Sequence, residues 1–460
     1  MKSSHLSVYL STLVAALGGF LFGFDTAVIS GAEGAIQTVF ALEEFWLGFT
    51  VAAALGGTIV GALTAGRPAD AYGRRTVMIV LAVFFTVSAL GSALTSSWVA
   101  FLLYRFLGGI AVGGVSVVGP MYIAEISPAD VRGRLVAAHQ LNIVVGILLA
   151  YISNYLVAQY IPTSSWRWML GVEALPATLF FGLLFLVPDS PRWLVKNDRA
   201  EDARDVLTWL GIESVEASLQ QIKASLMRER RKPDEPLFQP EYGFVIFLAW
   251  AVAMFNQLSG INALMYYAPR IFEMAGAATD AALLQSVAIG GTNFVFTLVG
   301  MAVIDKFGRR ILLLIGSLGT AACLGLVAYE FYAPTPGVLV LVGLLGFIAF
   351  FAFSQGAVIW VFISEIFPNR VRSKGQSLGS ATHWVMAALV TWVFPIIADA
   401  SGGHAFAFFA AMMLLQFFFA WFLMPETKNL TLEEMEHKLG ISTEKLDREI
   451  DEEAPDAAPA

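Results

Sequence analysis

Twelve apolar stretches, each long enough to cross a bilayer as a helix, recur along the 460-residue chain and limit what it can become. They run at about 8–30, 46–66, 77–96, 98–123, 135–157, 168–188, 242–266, 283–304, 311–331, 337–364, 376–399 and 403–424. Inside a hydrocarbon layer no water satisfies backbone N–H and C=O groups, so such stretches must close their hydrogen bonds internally as helices. Composition agrees: 57% of residues are hydrophobic and 14% are charged, whereas a soluble domain carries about a quarter charged residues. The chain reads as an all-α, polytopic membrane protein. The first stretch is too long for a cleaved signal and contains Asp25, so it counts as a retained span. A single cysteine, Cys323, allows no intrachain disulfide and no cysteine metal cluster.

Charge sets the expected orientation. The termini and the loops after spans two, four, six, eight and ten hold 25 of the 28 Lys and Arg residues. The opposite loops hold only Arg167 and Arg270, and Arg105 lies within a span. The positive-inside rule then puts both termini in the cytoplasm of a cell with this protein in its plasma (inner) membrane. The net charge of −8 is nearly all local, because residues 426–460 carry 11 acids and 4 bases. The end of that tail, "DEEAPDAAPA", is expected to be disordered.

The chain is duplicated. "AEISPADVRGR" (124–134) aligns with "SEIFPNRVRSK" (364–374), and "DAYGRR" (70–75) with "DKFGRR" (305–310). Gly23 and Asp25 align with Gly260 and Asn262. Each half therefore supplies six spans of the same orientation, an arrangement that puts a substrate site between the halves near the bilayer midplane. The expected organisation is an N-terminal half (1–188), a cytoplasmic linker with short amphipathic helices (189–240), a C-terminal half (241–425) and an acidic tail (426–460). In the linker, Val206, Leu207 and Leu210, then Leu219, Ile222 and Leu226, fall near helical spacing.

Charges buried in spans are expected to pair and to serve function. Asp25, Arg105 and Glu173 lie at one depth, roughly 8–10 Å inside the outer boundary at 1.5 Å per residue. Such a carboxylate, pulled towards neutrality by desolvation and towards ionisation by arginine, can titrate. The three form a candidate proton switch; the competing reading is a static ion pair that orders the helices. Span seven carries a polar row, Asn256, Gln257, Asn262 and Tyr266, with Gly260 placed to let the helix unwind. Amide side chains donate and accept, which suits neutral polyols, and the aligned "FGFD" and "SGIN" predict broken helices at matching places in the two halves. On the cytoplasmic side, Asp70, Arg74, Arg75, Glu125 and Arg132, with Asp305, Arg309, Arg310, Glu365 and Arg372, are expected to form ion pairs that close the inner side and part when the halves rock. The pairs Gly57/Gly61 and Gly109/Gly113 have the spacing of closely packed helices.

In order and spacing, "GRPADAYGRR" (66–75), "PDSPRWL" (188–194), "NQLSGINALMYYAP" (256–269), "DKFGRR" (305–310) and "PETKNLTLEE" (425–434) resemble the sugar porter family of the major facilitator superfamily. That family contains bacterial proton–xylose symporters and facilitative glucose transporters. The resemblance implies twelve helices in two pseudo-symmetric halves and sugar contacts at Gln140, Gln257, Asn262, Asn293 and Trp360, with Tyr266 nearby. It also places an acid at Asp25 and at Glu173 in the proton-coupled members, where facilitative ones usually have asparagine in place of the first. Two positions depart from the family: Asn256 stands for a usual glutamine, and His383, before Trp384 in "THW", stands for a usual Gln or Asn.

The expected function is proton-coupled import of a pentose or hexose by alternating access. A uniporter, an inositol symporter and a transporter-like sensor are the alternatives. No nucleophile–base pair or phosphate-binding turn points to an enzyme, and no ring of charges or carbonyls points to a channel. Sugar, proton and lipid are the expected partners, with no nucleic acid, no cofactor and no metal, and the chain is expected to work as a monomer.

Overall fold

The computed structural model describes residues 4–128, 131–212, 214–231, 235–333, 337–430 and 432–441. The tail sequence "DEEAPDAAPA" lies outside them. Among the described residues every regular element is helical. Twelve of these helices are long and apolar enough to cross a membrane: Leu6–Gly31, Glu44–Thr64, Arg74–Leu94, Trp98–Ile126, Arg132–Tyr160, Ser165–Leu186, Pro240–Met274, Thr279–Phe307, Arg309–Tyr332, Val338–Ile366, Arg372–Ala400 and Gly402–Phe422. They are called spans one to twelve below. The seventh runs beyond the stretch read from hydropathy, because "YAPRIFEM" continues the helix to Met274.

The halves repeat each other's packing. Span two packs on span four, one on five and three on four, and the equivalent pairs eight–ten, seven–eleven and nine–ten recur in the second half. Span two also meets span eleven, and span five meets span eight; the pseudo-two-fold exchanges these two inter-half seams. Lipid is as apolar as leucine, so close packing rather than hydrophobic expulsion holds helices together here. The span two–four seam shows how. A Cβ at Gly57 or Gly61 would come 2.0 Å from the Phe106 carbonyl oxygen or 2.2 Å from that of Ile110. From the other side, one at Gly109 or Gly113 would come 1.8 Å from the Ala54 oxygen or 2.1 Å from that of Thr58. The small-residue spacing thus lets the two backbones touch.

The core is joined at one face and split at the other. One buried cluster takes residues from both halves, among them Ile29, Val51 and Tyr151 with Tyr267, Phe272 and Phe394. Towards the face with the arginine-rich turns, one cluster belongs to the first half (Met78, Phe85, Tyr122) and a separate one to the second (Leu312, Phe362, Phe367). The linker forms three helices, Pro191–Lys196, Ala200–Trp209 and Val215–Arg231. Trp193, Leu194, Ala203, Leu207 and Leu219 form their shared buried side.

Breaks in the spans position the functional groups. Span seven stops at Leu258 and restarts at Ile261, with Gly260 at φ +83°. A second distortion, at Tyr267 (φ −127°, ψ 20°), precedes Pro269. Span ten breaks at Ser354 (φ −113°, ψ −88°). Span six is interrupted at Glu173, three residues before Pro176, whose missing N–H weakens the helix there. Span one does not break where its alignment with span seven predicts. Its helix runs without interruption from Ser4 to Val28, through Gly23. Gly23 serves packing instead: a Cβ there would lie 1.8 Å from the carbonyl oxygen of Ile143 on span five.

Candidate functional site

Between the halves lies a cavity of about 390 Å³. Gln140, Asn256, Gln257, Asn262, Tyr266, Asn293, Trp360, His383 and Trp384 all line it, so the structure brings together every residue expected to touch sugar. Eight of the nine come from the second half, and Gln140 alone comes from the first. Asn256 and Gln257 are buried at the end of the first segment of span seven, and Asn262 and Tyr266 lie on the segment after Gly260. Trp360, beyond the span ten break, lies with its ring centroid 5.0 Å from that of His383, and Trp384 meets the same imidazole edge-on at 4.9 Å. Phe22, Thr26, Ser116 and His139 also line the cavity, and the sequence alone does not single them out. His139 is buried, and neither ring nitrogen has a hydrogen-bond partner among the described residues. For His139 and Thr26 the signal is a polar residue interrupting an apolar span, beside Gln140 or beside Asp25.

The three intramembrane charges also meet. Arg105 donates to both carboxylate oxygens of Asp25, Nη1 to Oδ1 at 2.6 Å and Nη2 to Oδ2 at 3.2 Å, and both residues are buried. Such bidentate, charge-assisted bonds are the strong ones. Glu173 is buried beside them, within the field of both Asp25 and Arg105, and its Oε1 has no hydrogen-bond partner among the described residues. Two carboxyl groups and one guanidinium thus share a dry site able to hold a proton. Tyr266 joins this site to the cavity, since it lines the cavity and lies within the field of both Asp25 and Arg105.

At the arginine-poor face the halves are tied together. Arg270 of span seven donates to Glu33 at 3.2 Å, to Gln37 at 3.1 Å and to both oxygens of Glu44 at 2.8 Å. The Tyr151 hydroxyl donates to the Met265 carbonyl, and the Trp392 indole to that of Phe45. Burial pushes the Glu33 carboxyl up to about 7 from its ordinary 4.5, against the pull of Arg270. In sequence Arg270 is only an exception to the charge asymmetry, because its acidic partners lie in or beside a segment that reads as a loop.

At the opposite face the charged turns are built alike in both halves. Arg74 pairs with Asp70 at 3.0 Å and with Glu125 at 2.9 Å; Arg309 pairs with Asp305 at 3.2 Å and with Glu365 at 2.7 Å. Partial burial resists ionisation of Asp70, but Lys196 and Arg74 outweigh it and hold the carboxyl below its ordinary range. The Arg75 side chain donates to the carbonyls of Leu184 and Phe185 at the end of span six, while its backbone N–H donates to Asp189. Arg310 does the same at Ala420 and Trp421 on span twelve. Arg132 and Arg372 donate to the carbonyls of Ser127 and Phe367.

The pairs of Arg74 and of Arg309 are all formed here, and each lies within one half rather than across the seam between the halves. Two further acids, which the sequence does not mark out, complete the pattern. Asp189 of "PDSPRWL" accepts from the backbone N–H of Arg74 at 3.0 Å, and Glu426 of "PETKNLTLEE" accepts from that of Arg309 at 2.9 Å. Each is an acid supplied from elsewhere in the chain to a helix N-terminus, where negative charge is favoured. Burial raises the Asp189 carboxyl above its ordinary range despite these N–H donors.

Known proteins bear on this geometry. The family model described as "Sugar (and other) transporter" matches residues 11–439. The D-xylose-proton symporter of Escherichia coli (strain K12) is 38% identical, over 95% of this chain and 97% of its own length. The glucose facilitated diffusion protein of Zymomonas mobilis is 36% identical, over 95% of this chain and 98% of its own. The inward-open conformation of the xylose transporter from Escherichia coli superposes with a TM-score of 0.84 at 38% identity, covering 94% of this chain and 99% of that one. The fold is that of the major facilitator superfamily, and the chain belongs to the sugar transporter family.

Proposed function

We propose that this protein is a proton-coupled monosaccharide symporter that works by alternating access. The observation that carries the reading is the buried Asp25–Arg105 pair with Glu173 beside it, connected through Tyr266 to a cavity lined by neutral amides and tryptophans. A neutral, polar, aromatic-walled cavity suits a pentose or hexose, and similarity to a D-xylose-proton symporter supports that class. Similarity to a facilitated diffusion protein at nearly the same identity favours uniport as the second reading. The two acids buried around one arginine weigh against it, because a uniporter could use them only as a static ion pair, which needs one acid and not two.

The arginine-rich face is assigned to the cytoplasm, with both termini. The arginine-poor face, tied shut by Arg270, is then the outer one, and the structure corresponds to a state closed outside and split inside. Asp70, Arg74, Glu125 and their counterparts Asp305, Arg309 and Glu365 act as braces that let each half move as one body, with Arg75, Arg310, Arg132 and Arg372 securing helix ends. Transport requires no second copy of the chain.

Proteoliposomes loaded at pH 8 and diluted into radiolabelled D-xylose, or D-glucose, at pH 6 test the reading. Accumulation above the external concentration, abolished by a protonophore, is expected. Entry that stops at equal concentrations would make the protein a uniporter.

A further inference from the structure

The two residues that depart from the family pattern, Asn256 and His383, flank the same side chain. Gln257 Nε2 donates to Asn256 Oδ1 at 3.1 Å and lies 3.2 Å from each ring nitrogen of His383. Asn256 Nδ2 in turn donates to the backbone carbonyl of Gln355, at the span ten break, at 3.4 Å. That carbonyl fixes the direction of everything that follows, because it can only accept. Asn256 must turn its NH₂ towards it, which leaves Oδ1 facing Gln257. Gln257 must then present its own NH₂, and only an unprotonated ring nitrogen of His383 can receive the second hydrogen. Turning the Gln257 amide over would set its oxygen against Asn256 Oδ1; turning both amides over would set Asn256 Oδ1 against the Gln355 carbonyl.

With both amide hydrogens engaged, Gln257 has nothing left to donate. Its Oε1 is buried without a hydrogen-bond partner among the described residues, on a side chain that lines the cavity. The His383 ring cannot turn away freely, packed between Trp360 and Trp384.

We propose that Asn256 and His383 are positioning residues that act as one unit, a one-way hydrogen-bond relay from the span ten carbonyl to the span eleven imidazole that makes Gln257 an acceptor only. The site then selects for a sugar hydroxyl that donates to Gln257 Oε1. An analogue that cannot donate there leaves the oxygen buried and unpaired and binds about ten- to a hundredfold more weakly. This rests on the cavity being the sugar site.

The test uses the purified full-length protein with D-xylose and D-glucose and, at each ring position, their deoxy and deoxyfluoro analogues, with binding read from tryptophan fluorescence. Fluorine accepts weakly but cannot donate. In the wild type one ring position is expected where the fluoro analogue is as weak as the deoxy one. In His383→Phe and in Asn256→Leu a hydrogen on Gln257 Nε2 is freed, and at a ring position facing it the fluoro analogue should rise at least about fivefold above the deoxy one. The double variant should go little further than either single one, since cutting the relay at one end already releases the donor. His383→Gln retains an acceptor and should keep the wild-type pattern, and it serves if the apolar variants do not fold. Fluoro analogues that exceed deoxy ones at every position of the wild type, or single variants that leave the ratio unchanged, would overturn the relay with the sugar site intact. If neither parent sugar binds the wild type, the sugar-site reading fails first.

Discussion

Asp25, Gly73 and Gly23 show how single residues divide between chemistry and construction. Asp25 stands out in sequence because a bare carboxylate inside an apolar span is costly, and its partner, Arg105, is the one arginine within the twelve apolar stretches read from the sequence. Both are therefore legible from the sequence alone. Gly73 and Gly308 read as tight turns, and each adopts a backbone that glycine almost alone can reach, φ +94° and ψ 153° for the first, φ +87° and ψ 167° for the second. A Cβ at Gly73 would also come 2.1 Å from Asp189 Oδ2. Gly73→Ala should therefore destabilise the protein by about 1–3 kcal/mol. Gly66→Ala, where nothing lies within 4 Å of the added carbon, should change stability little. Thermal unfolding in detergent checks both; equal melting temperatures would contradict the account of the turn. Gly23 misleads in sequence, because alignment with Gly260 says that both positions lack a side chain but not why. At Gly260 the missing Cβ permits a positive φ, and at Gly23 it admits a neighbouring carbonyl.

At the scale of elements, the short helix Glu33–Val39 and the end of span seven carry what hydropathy does not show. Their meeting through Arg270 joins acids and a base more than two hundred residues apart, and no local pattern announces it. Arg270→Ala should shift the protein towards opening on this face, seen as longer distances between spin labels placed on the two halves there. Glu33 adds a pH dependence whose sign follows from its surroundings. It faces Arg270, with Glu44, Glu273 and Tyr267 also in its field and Gln37 on the same arginine. Its carboxyl is raised to about 7 by burial in the closed arrangement and returns towards 4.5 when opening restores water. Closure thus binds a proton: the stabilisation is full below about 4.5 and is lost as pH rises through about 7. The closed population should fall between pH 5 and pH 8, and Glu33→Gln should remove that part of the fall. A titration unchanged by the substitution would show that Glu33 does not report closure.

For the whole molecule, the duplication and the twelve spans are readable from motif offsets and hydropathy, because both are periodic properties of the chain. The division of labour between the halves is readable too, from the half in which each expected site residue falls. Asp25, Arg105 and Glu173 all lie in the first half, and eight of the nine amide, tyrosine, histidine and tryptophan residues expected at the cavity lie in the second. Pseudo-symmetry gave the two halves one fold, and separate residues gave them separate tasks. On the proposed reading coupling crosses the interface at Tyr266, which lines the cavity and lies within the field of Asp25 and Arg105. Tyr266→Phe should lower the protons moved per sugar while leaving sugar exchange within about threefold of wild type, measured as paired proton and sugar fluxes; a proportional loss of both would assign Tyr266 to sugar binding alone.

The central claim is that Asp25 carries the proton. De-energised cells containing the protein, given D-xylose or D-glucose in a weakly buffered medium, provide the direct measurement, with external pH recorded for the wild type and for Asp25→Asn alongside radiolabelled sugar exchange. The account predicts alkalinisation on sugar addition in the wild type and none in Asp25→Asn, with exchange retained in both. Exchange without any pH change in the wild type, or alkalinisation that survives in Asp25→Asn, would contradict it.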